Sequence, residues 1–253
     1  MPNLTVVLPT YNERENLPLM AEALLALPVD GLQVLVVDDN SPDGTGAIAD
    51  TLAQTHPGRI HVLHRLEKNG LGPAYIAGFK QALSLGADLV VQMDCDFSHQ
   101  PEYIPTMLAK LDEGYDAVFG SRYVRGGSVD ESWSLYRKAL SMFANRWYVR
   151  AILGIPINDA TGGFRLWRRA TLIGLDLDRV TSNGYVFQVE MAYLATRLGY
   201  RLTEIPIYFP DRKRGQSKMD VRIQREAALA TFGLRSRHHG LKPEMRRTEA
   251  YSS

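Results

Sequence analysis

The sequence predicts an α/β protein: an open, mostly parallel sheet with helices on both faces. Two observations carry this expectation. Short apolar runs alternate with stretches of helical apolar spacing through the first half of the chain. The runs at 34–37 and 89–91 are unbroken Val and Leu, as parallel strands buried on both faces require.

Residues 4–8 are the first predicted strand, ended by Pro9. Leu17, Met20, Ala21, Leu24 and Leu25 follow at helical spacing. Residues 33–37 form a second strand, closed by Asp38, Asp39 and a turn cluster. Ile48, Ala49, Leu52 and Ala53 fit a helix, and 60–63 a third strand. A helix at 74–85 follows Gly70-Leu71-Gly72. A strand at 88–93, a helix at 103–111 and a strand at 117–119 continue the alternation. The second half is less regular, with helices expected at 134–153, 186–198 and 221–234 and a strand at 202–207. Residues 1–234 read as one domain, and 235–253 as a basic tail expected to be mobile.

Composition narrows the function classes. A chain that is 45% hydrophobic and 23% charged is built to fold rather than stay disordered. The net charge of +1 gives no reason to expect a nucleic-acid partner. That balance hides a split: from Arg201 onward there are 12 basic and 6 acidic residues, against 17 and 22 before it. The basic end is expected to meet something anionic. A single cysteine excludes an internal disulfide framework and a multi-cysteine zinc site. Neither a signal peptide nor a membrane-length apolar run is visible, so the expected place is the cytoplasm, with attachment to a membrane surface open.

Polar motifs follow four predicted strands, where open α/β sheets bind ligands. They are Pro9-Thr10-Tyr11-Asn12-Glu13, the cluster from Asp38 to Gly44, Asp94-Cys95-Asp96, and Gly120-Ser121-Arg122-Tyr123. Any one could be a loop or a cap, and Ser41 and Asp43 are candidate N-caps. Four on one edge point to a site. Tyr11 and Glu13 stand where a dinucleotide site needs glycines, and no P-loop occurs, which argues against NAD and P-loop ATP.

Asp94 and Asp96, two apart at a strand end, direct two carboxylates to one side. Such a pair suits Mg²⁺ or a similar cation that also takes phosphate oxygens. Cys95 between them is a thiol nucleophile or, by default, a small packing residue. His99, His238 and His239 form no zinc pattern and read as surface residues. The basic stretch 211–218 is a solvated charge run or a phosphate clamp. Thr161-Gly162-Gly163-Phe164-Arg165 reads as a tight turn. Arg137 and Ser141 share one helix face.

The segments LPTYNERENLP, VVDDNSPDGT, NGLGPAYIAGF, QMDCDFSHQPEYIP, GSRY, TGGFRLWRR, SNGYVFQVEM and DRKRGQSK run from Leu8 to Lys218. Together they resemble the family 2 glycosyltransferases, and more narrowly the polyprenyl- and dolichyl-phosphate mannose synthases. The resemblance implies an A-type glycosyltransferase fold and inverting transfer of mannose from GDP-mannose to a lipid phosphate. It implies that Pro9, Tyr11, Glu13, Val37 and Asp39 hold the guanosine part. Asp94, the Cys95 backbone and Asp96 would meet the diphosphate, the two aspartates holding Mg²⁺ or Mn²⁺. Arg122, Arg212 and Lys218 would contact phosphates, and Arg137 and Ser141 the acceptor phosphate. The family usually has Ala where this chain has Cys95, and some members carry C-terminal membrane helices that this chain lacks. In this the chain is similar to members that rely on a separate membrane subunit, and the resemblance implies a polyprenyl phosphate, a membrane surface and such a subunit as partners. The alternatives are a UDP-glucose-dependent glucosyltransferase acting on the same lipid, or a silent scaffold subunit.

Overall fold

The computed structural model describes residues 2–142, 148–210 and 221–251. The first half alternates as expected: β1 (Leu4–Thr10), α1 (Leu17–Leu25), β2 (Leu32–Asp38), α2 (Thr45–Thr55), β3 (Ile60–His64), α3 (Leu71–Ser84), β4 (Leu89–Gln92), α4 (Ile104–Asp112) and β5 (Ala117–Ser121). The second half contributes β6 (Ser128–Val129), α5 (Leu135–Met142), α6 (Arg150–Leu153), β7 (Arg165–Arg168), α7 (Arg169–Leu175), α8 (Gly184–Arg197), β8 (Leu202–Pro206), β9 (Tyr208–Phe209) and α9 (Val221–His238).

Seven strands form one sheet in the order β3-β2-β1-β4-β7-β5-β8, and β6 pairs with β9 apart from it. In the large sheet β7 is antiparallel to β4 and β5, and the other pairings are parallel. Strand alternation divides the core in two. Val7, Leu35, Val37, Val90, Phe119 and Trp167 pack with Tyr75 and Phe79 of α3 and Phe187 of α8. Val6, Leu8, Val34, Val36, Val91 and Leu166 pack with Leu17 and Met20 of α1, Ala49 of α2 and Met107 of α4. Gly78 lets α3 lie close on the sheet, since a Cβ there would stand 2.4 Å from Val7 Cγ1.

The second half adds detail that the sequence expectation did not carry. Arg165, expected as the end of a tight turn, is the first residue of β7. Arg165 is fully buried, donating to the carbonyls of Gly162 and Ala160, and Arg168 donates to those of Tyr115 and Leu111. The helix expected at 134–153 is described as α5 and α6, with 143–147 outside the described residues. Residues 239–251 contact the body of the fold at several points. Leu241 is buried, Arg246 donates to the carbonyls of Leu198 and Gly199, and the Leu177 N–H donates to the Tyr251 hydroxyl. The arginines of this segment lie over rings: Arg246 is 4.2 Å from the Tyr200 centroid and Arg247 4.2 Å from Tyr251. Polar composition hides such contacts, because the stem packs while the head finds acceptors.

Candidate active site

The chain runs outward from β1 through β2 to β3, then places β4 on the other flank of β1. A crevice therefore opens beyond the carboxyl ends of β1 and β4. Strain marks this edge. Asn12, Asn40 and Phe97 have φ of 63°, 55° and 61°, shortly past β1, β2 and β4 respectively. For a bulky residue such as Phe97 this conformation costs on the order of 1–3 kcal/mol.

Asp94 and Asp96 are half-buried, and Cys95 between them is buried. Both carboxylates thus reach the crevice while the thiol enters the core. Tyr75 of α3 donates to Asp94 Oδ1 at 2.8 Å. The Asp94 N–H donates to His99 Nδ1 at 2.9 Å, which places the ring proton on Nε2. Ser98 donates to Asp96 Oδ1 through its N–H at 3.0 Å and its hydroxyl at 2.5 Å. His99 corrects the surface reading: it is buried, stacked on Phe164 at 5.3 Å between centroids. Gly163 makes room for it, since a Cβ there would lie 3.2 Å from both the His99 ring and the Gln188 amide.

Burial pushes the Tyr75 phenol well above its ordinary pKa, and the nearby Asp94 carboxylate pushes it further. The phenol is a permanent donor. Burial likewise raises the Cys95 thiol, with Glu13, Asp96 and Asp94 adding to it. Its burial and raised pKa favour the packing reading, since only a thiolate would be a nucleophile.

Among the described residues, no group of three His, Cys, Asp or Glu side chains could cage a metal ion. Two half-exposed carboxylates at a crevice suit a different arrangement. They fit a hard cation such as Mg²⁺ or Mn²⁺ that draws its other oxygens from a diphosphate and water.

The neighbouring strand ends divide their labour. Asp38 ties β1 to β2: it accepts from the Thr10 hydroxyl at 3.0 Å, the Ser41 hydroxyl at 2.6 Å and the Ser41 N–H at 3.0 Å. Ser41 also accepts from the Asn12 N–H, and Asp43 accepts from the Thr45 N–H; neither candidate is the N-cap of α2, which is Gly44. Asp39 lies 2.5 Å from Arg65 Nη1. Burial raises its pKa, and Arg65 only partly offsets this. Pro9, Tyr11 and Glu13 are half-exposed on the same edge, with the Lys68 ammonium 3.6 Å above the Tyr11 ring. The Val37 side chain is in the core, which leaves only its backbone for a ligand.

Arg122, past β5, is already held. Its Nε and Nη2 each donate to Asp159 at 2.7 Å, and Nη2 reaches Thr161 at 3.1 Å. Asp159 is fully buried, and its backbone N–H and that of Asn158 donate to Glu204. Burial works against the Arg122 charge, but Asp159 outweighs it and raises the pKa. Ser141 meets Tyr123 hydroxyl to hydroxyl, joining α5 to the end of β5. The Arg137 side chain, Arg212, Lys218 and the rest of the basic loop lie outside the described residues.

Two further ties brace the region. Asn183 Oδ1 accepts from the Gly72 and Gly184 N–H groups, and its Nδ2 donates to the Asn69 carbonyl, locking the start of α3 to that of α8. Glu190 of α8 is fully buried and accepts from the N–H groups of Thr181 and Ser182. On α9, His238 Nε2 lies 2.7 Å from the same carboxylate and Arg237 Nη1 3.1 Å. His238 is therefore a second correction, buried where a surface residue was expected, while His239 is exposed.

A mostly parallel sheet with two carboxylates beyond the carboxyl end of β4 places them where open α/β folds bind ligands. Comparisons give the class. The family described as Glycosyl transferase family 2 matches residues 5–174. The chain is 47% identical to polyprenol monophosphomannose synthase from Mycolicibacterium smegmatis, covering 92% of this chain and 87% of that protein. It is 47% identical to undecaprenyl-phosphate mannosyltransferase from Micrococcus luteus, covering 94% and 97%. Among solved structures, glucosyl-3-phosphoglycerate synthase from Mycobacterium tuberculosis, in complex with Mn²⁺, UDP-glucose and phosphoglyceric acid, superposes with a TM-score of 0.65. Its identity is 18%, covering 94% of this chain and 80% of that one. Mannosyl-3-phosphoglycerate synthase from Rubrobacter xylanophilus gives 0.65 at 19%, covering 94% and 75%. The chain belongs to glycosyl transferase family 2, and its sheet is the A-type fold that the motifs imply.

Proposed function

We propose that this protein transfers mannose from GDP-mannose to a polyprenyl phosphate, with inversion at the anomeric carbon, and releases GDP. The observation that carries the reading is the Asp94–Asp96 edge at the switch point, fixed from inside by Tyr75, His99 and Ser98. The two relatives' names support mannosyl transfer to a polyprenyl-type phosphate.

A phosphate monoester has a second pKa of about 6, so the acceptor oxygen is already a nucleophile at neutral pH. No protein base is needed, and the nearby Asp159 is engaged by Arg122. Transfer is then one displacement, in which the bond from the anomeric carbon to the GDP oxygen breaks as a bond to the lipid phosphate forms on the opposite face. Asp94 and Asp96 would hold Mg²⁺ or Mn²⁺, which would supply Lewis-acid charge to the leaving group. Asp39, Tyr11, Glu13, Pro9 and the Val37 and Cys95 backbones bind the nucleotide. Arg122, with Arg212 and Lys218, offsets repulsion between the two anionic substrates. Arg137 and Ser141 hold the acceptor phosphate.

The lipid acceptor places the reaction on the cytoplasmic face of a membrane, assisted by a separate anchoring subunit. No helix among the described residues is long and apolar enough to cross one. Several C-terminal cations have internal partners, among them Arg235 on the Ile152 carbonyl and Arg247 on Asp176 and Asp178. Calorimetric titration of GDP against UDP tests the donor. GDP should bind more tightly, and a preference for UDP would replace the reading with the glucosyltransferase alternative. Proton NMR of the mannosylated lipid tests inversion, a β linkage being expected from the α-linked donor.

A further inference from the structure

Asp94 has two carboxylate oxygens with different surroundings. Oδ1 accepts the Tyr75 hydroxyl at 2.8 Å, while Oδ2 accepts no hydrogen bond among the described residues. The donor is well fixed. Tyr75 is fully buried, and its ring stacks between Phe79 at 5.7 Å and Phe187 at 5.8 Å. Phe187 belongs to α8, whose start is locked to that of α3 by Asn183. The phenol therefore has little freedom to move. The backbone of Asp94 is held as well, by the N–H bond to His99. With its amide fixed at one end and one oxygen at the other, the carboxylate has a single orientation.

We propose that Tyr75 is a positioning residue for the divalent cation: its hydroxyl fixes Asp94 Oδ1 and so leaves Oδ2 for a metal that Asp94 would hold. This rests on the reading of Asp94 and Asp96 as the metal carboxylates. A hydrogen bond behind a metal ligand sets the ligand's orientation, and losing such a partner typically weakens metal binding by about 10- to 100-fold. The role differs from core packing, to which the ring alone contributes. Tyr75→Phe separates the two, because it keeps both ring stacks and removes only the donor.

The test is Mn²⁺ binding followed by electron paramagnetic resonance with saturating GDP present, together with GDP affinity measured without metal. Tyr75→Phe should weaken Mn²⁺ binding about tenfold and leave metal-free GDP affinity within twofold of wild type. In an Asp94→Asn background, which itself should bind Mn²⁺ poorly, Tyr75→Phe should cause no further loss. Unchanged Mn²⁺ affinity in Tyr75→Phe would overturn the proposal. So would equal loss of GDP affinity with and without metal, which would make the residue a packing element. A full tenfold effect persisting in the Asp94→Asn background would show that Tyr75 acts elsewhere. Normal Mn²⁺ affinity in Asp94→Asn itself would instead refute the underlying metal assignment, a distinct failure.

Discussion

Asp94, after β4, and Asp159, ahead of β7, are carboxylates of one sheet edge with opposite surroundings. Asp94 is half-buried, and among the described residues its side chain accepts one hydrogen bond, from the Tyr75 phenol. Asp159 is fully buried, and Arg122 reaches both its oxygens. Glu190 repeats the second pattern between α8 and α9, receiving two backbone N–H groups, His238 and Arg237. The contrast separates acidity that shapes the fold from acidity left for a ligand. A saturated buried carboxylate cannot turn to a substrate without abandoning a buried cation, which is costly. A half-exposed one beside a crevice can take a metal at little cost to the fold.

Four substitutions can break or sharpen this contrast. Asp96→Ala should lower metal-dependent transfer by at least about a thousandfold while Tm stays within about 2 °C of wild type. A steady-state assay beside thermal unfolding checks both, and near-normal turnover would erase the distinction. Asp159→Ala should do the reverse in emphasis. It strands the mostly buried Arg122 and should cost about 3–5 kcal/mol in denaturant unfolding; a loss below about 1 kcal/mol would show that the pair does not hold the loop.

Glu190→Gln should show a pH signature. Burial raises the Glu190 pKa, but hydrogen bonds from His238 and Ser182 outweigh it, so its folded pKa is lowered. A lowered carboxyl pKa gives stability that is complete above the ordinary glutamate range. It is lost as pH falls through the lower folded value. The Tm gap between wild type and Glu190→Gln should therefore be widest near neutral pH and shrink in acid. A gap that stays constant with pH would assign the effect to shape alone. The smallest effect belongs to Cys95→Ala, expected to cost about 1 kcal/mol or less and to leave turnover unchanged; loss of activity with an intact fold would reinstate the thiol.

The alternating first half was legible because each strand is a short apolar run and each helix repeats its apolar spacing. What escaped were residues whose chemistry depends on distant partners. Arg165 and Arg168 carry charge in sequence, yet both lie in β7, paired with β4 and β5, and their heads meet distant backbone carbonyls. His99 and His238 gave no pattern in sequence, since a stack on Phe164 and a bond to Glu190 join residues 65 and 48 positions apart. Tyr75 offered a partial signal: with Phe79 it makes an aromatic i, i+4 pair, which marks a core face but not what its hydroxyl touches. Of the candidate site, the aspartates at strand ends were readable from position. Arg65, Asp159 and Tyr75 needed the fold, because they act by completing another residue's bonds.

The most direct test of the central claim combines purified protein with labelled GDP-mannose, a short polyprenyl phosphate and Mg²⁺. Formation of a mannosylated lipid together with stoichiometric GDP, abolished by a chelator and restored by added Mg²⁺ or Mn²⁺, is the predicted result. Lipid mannosylation that proceeds unchanged in chelator, or release of free mannose with no lipid product, would contradict it.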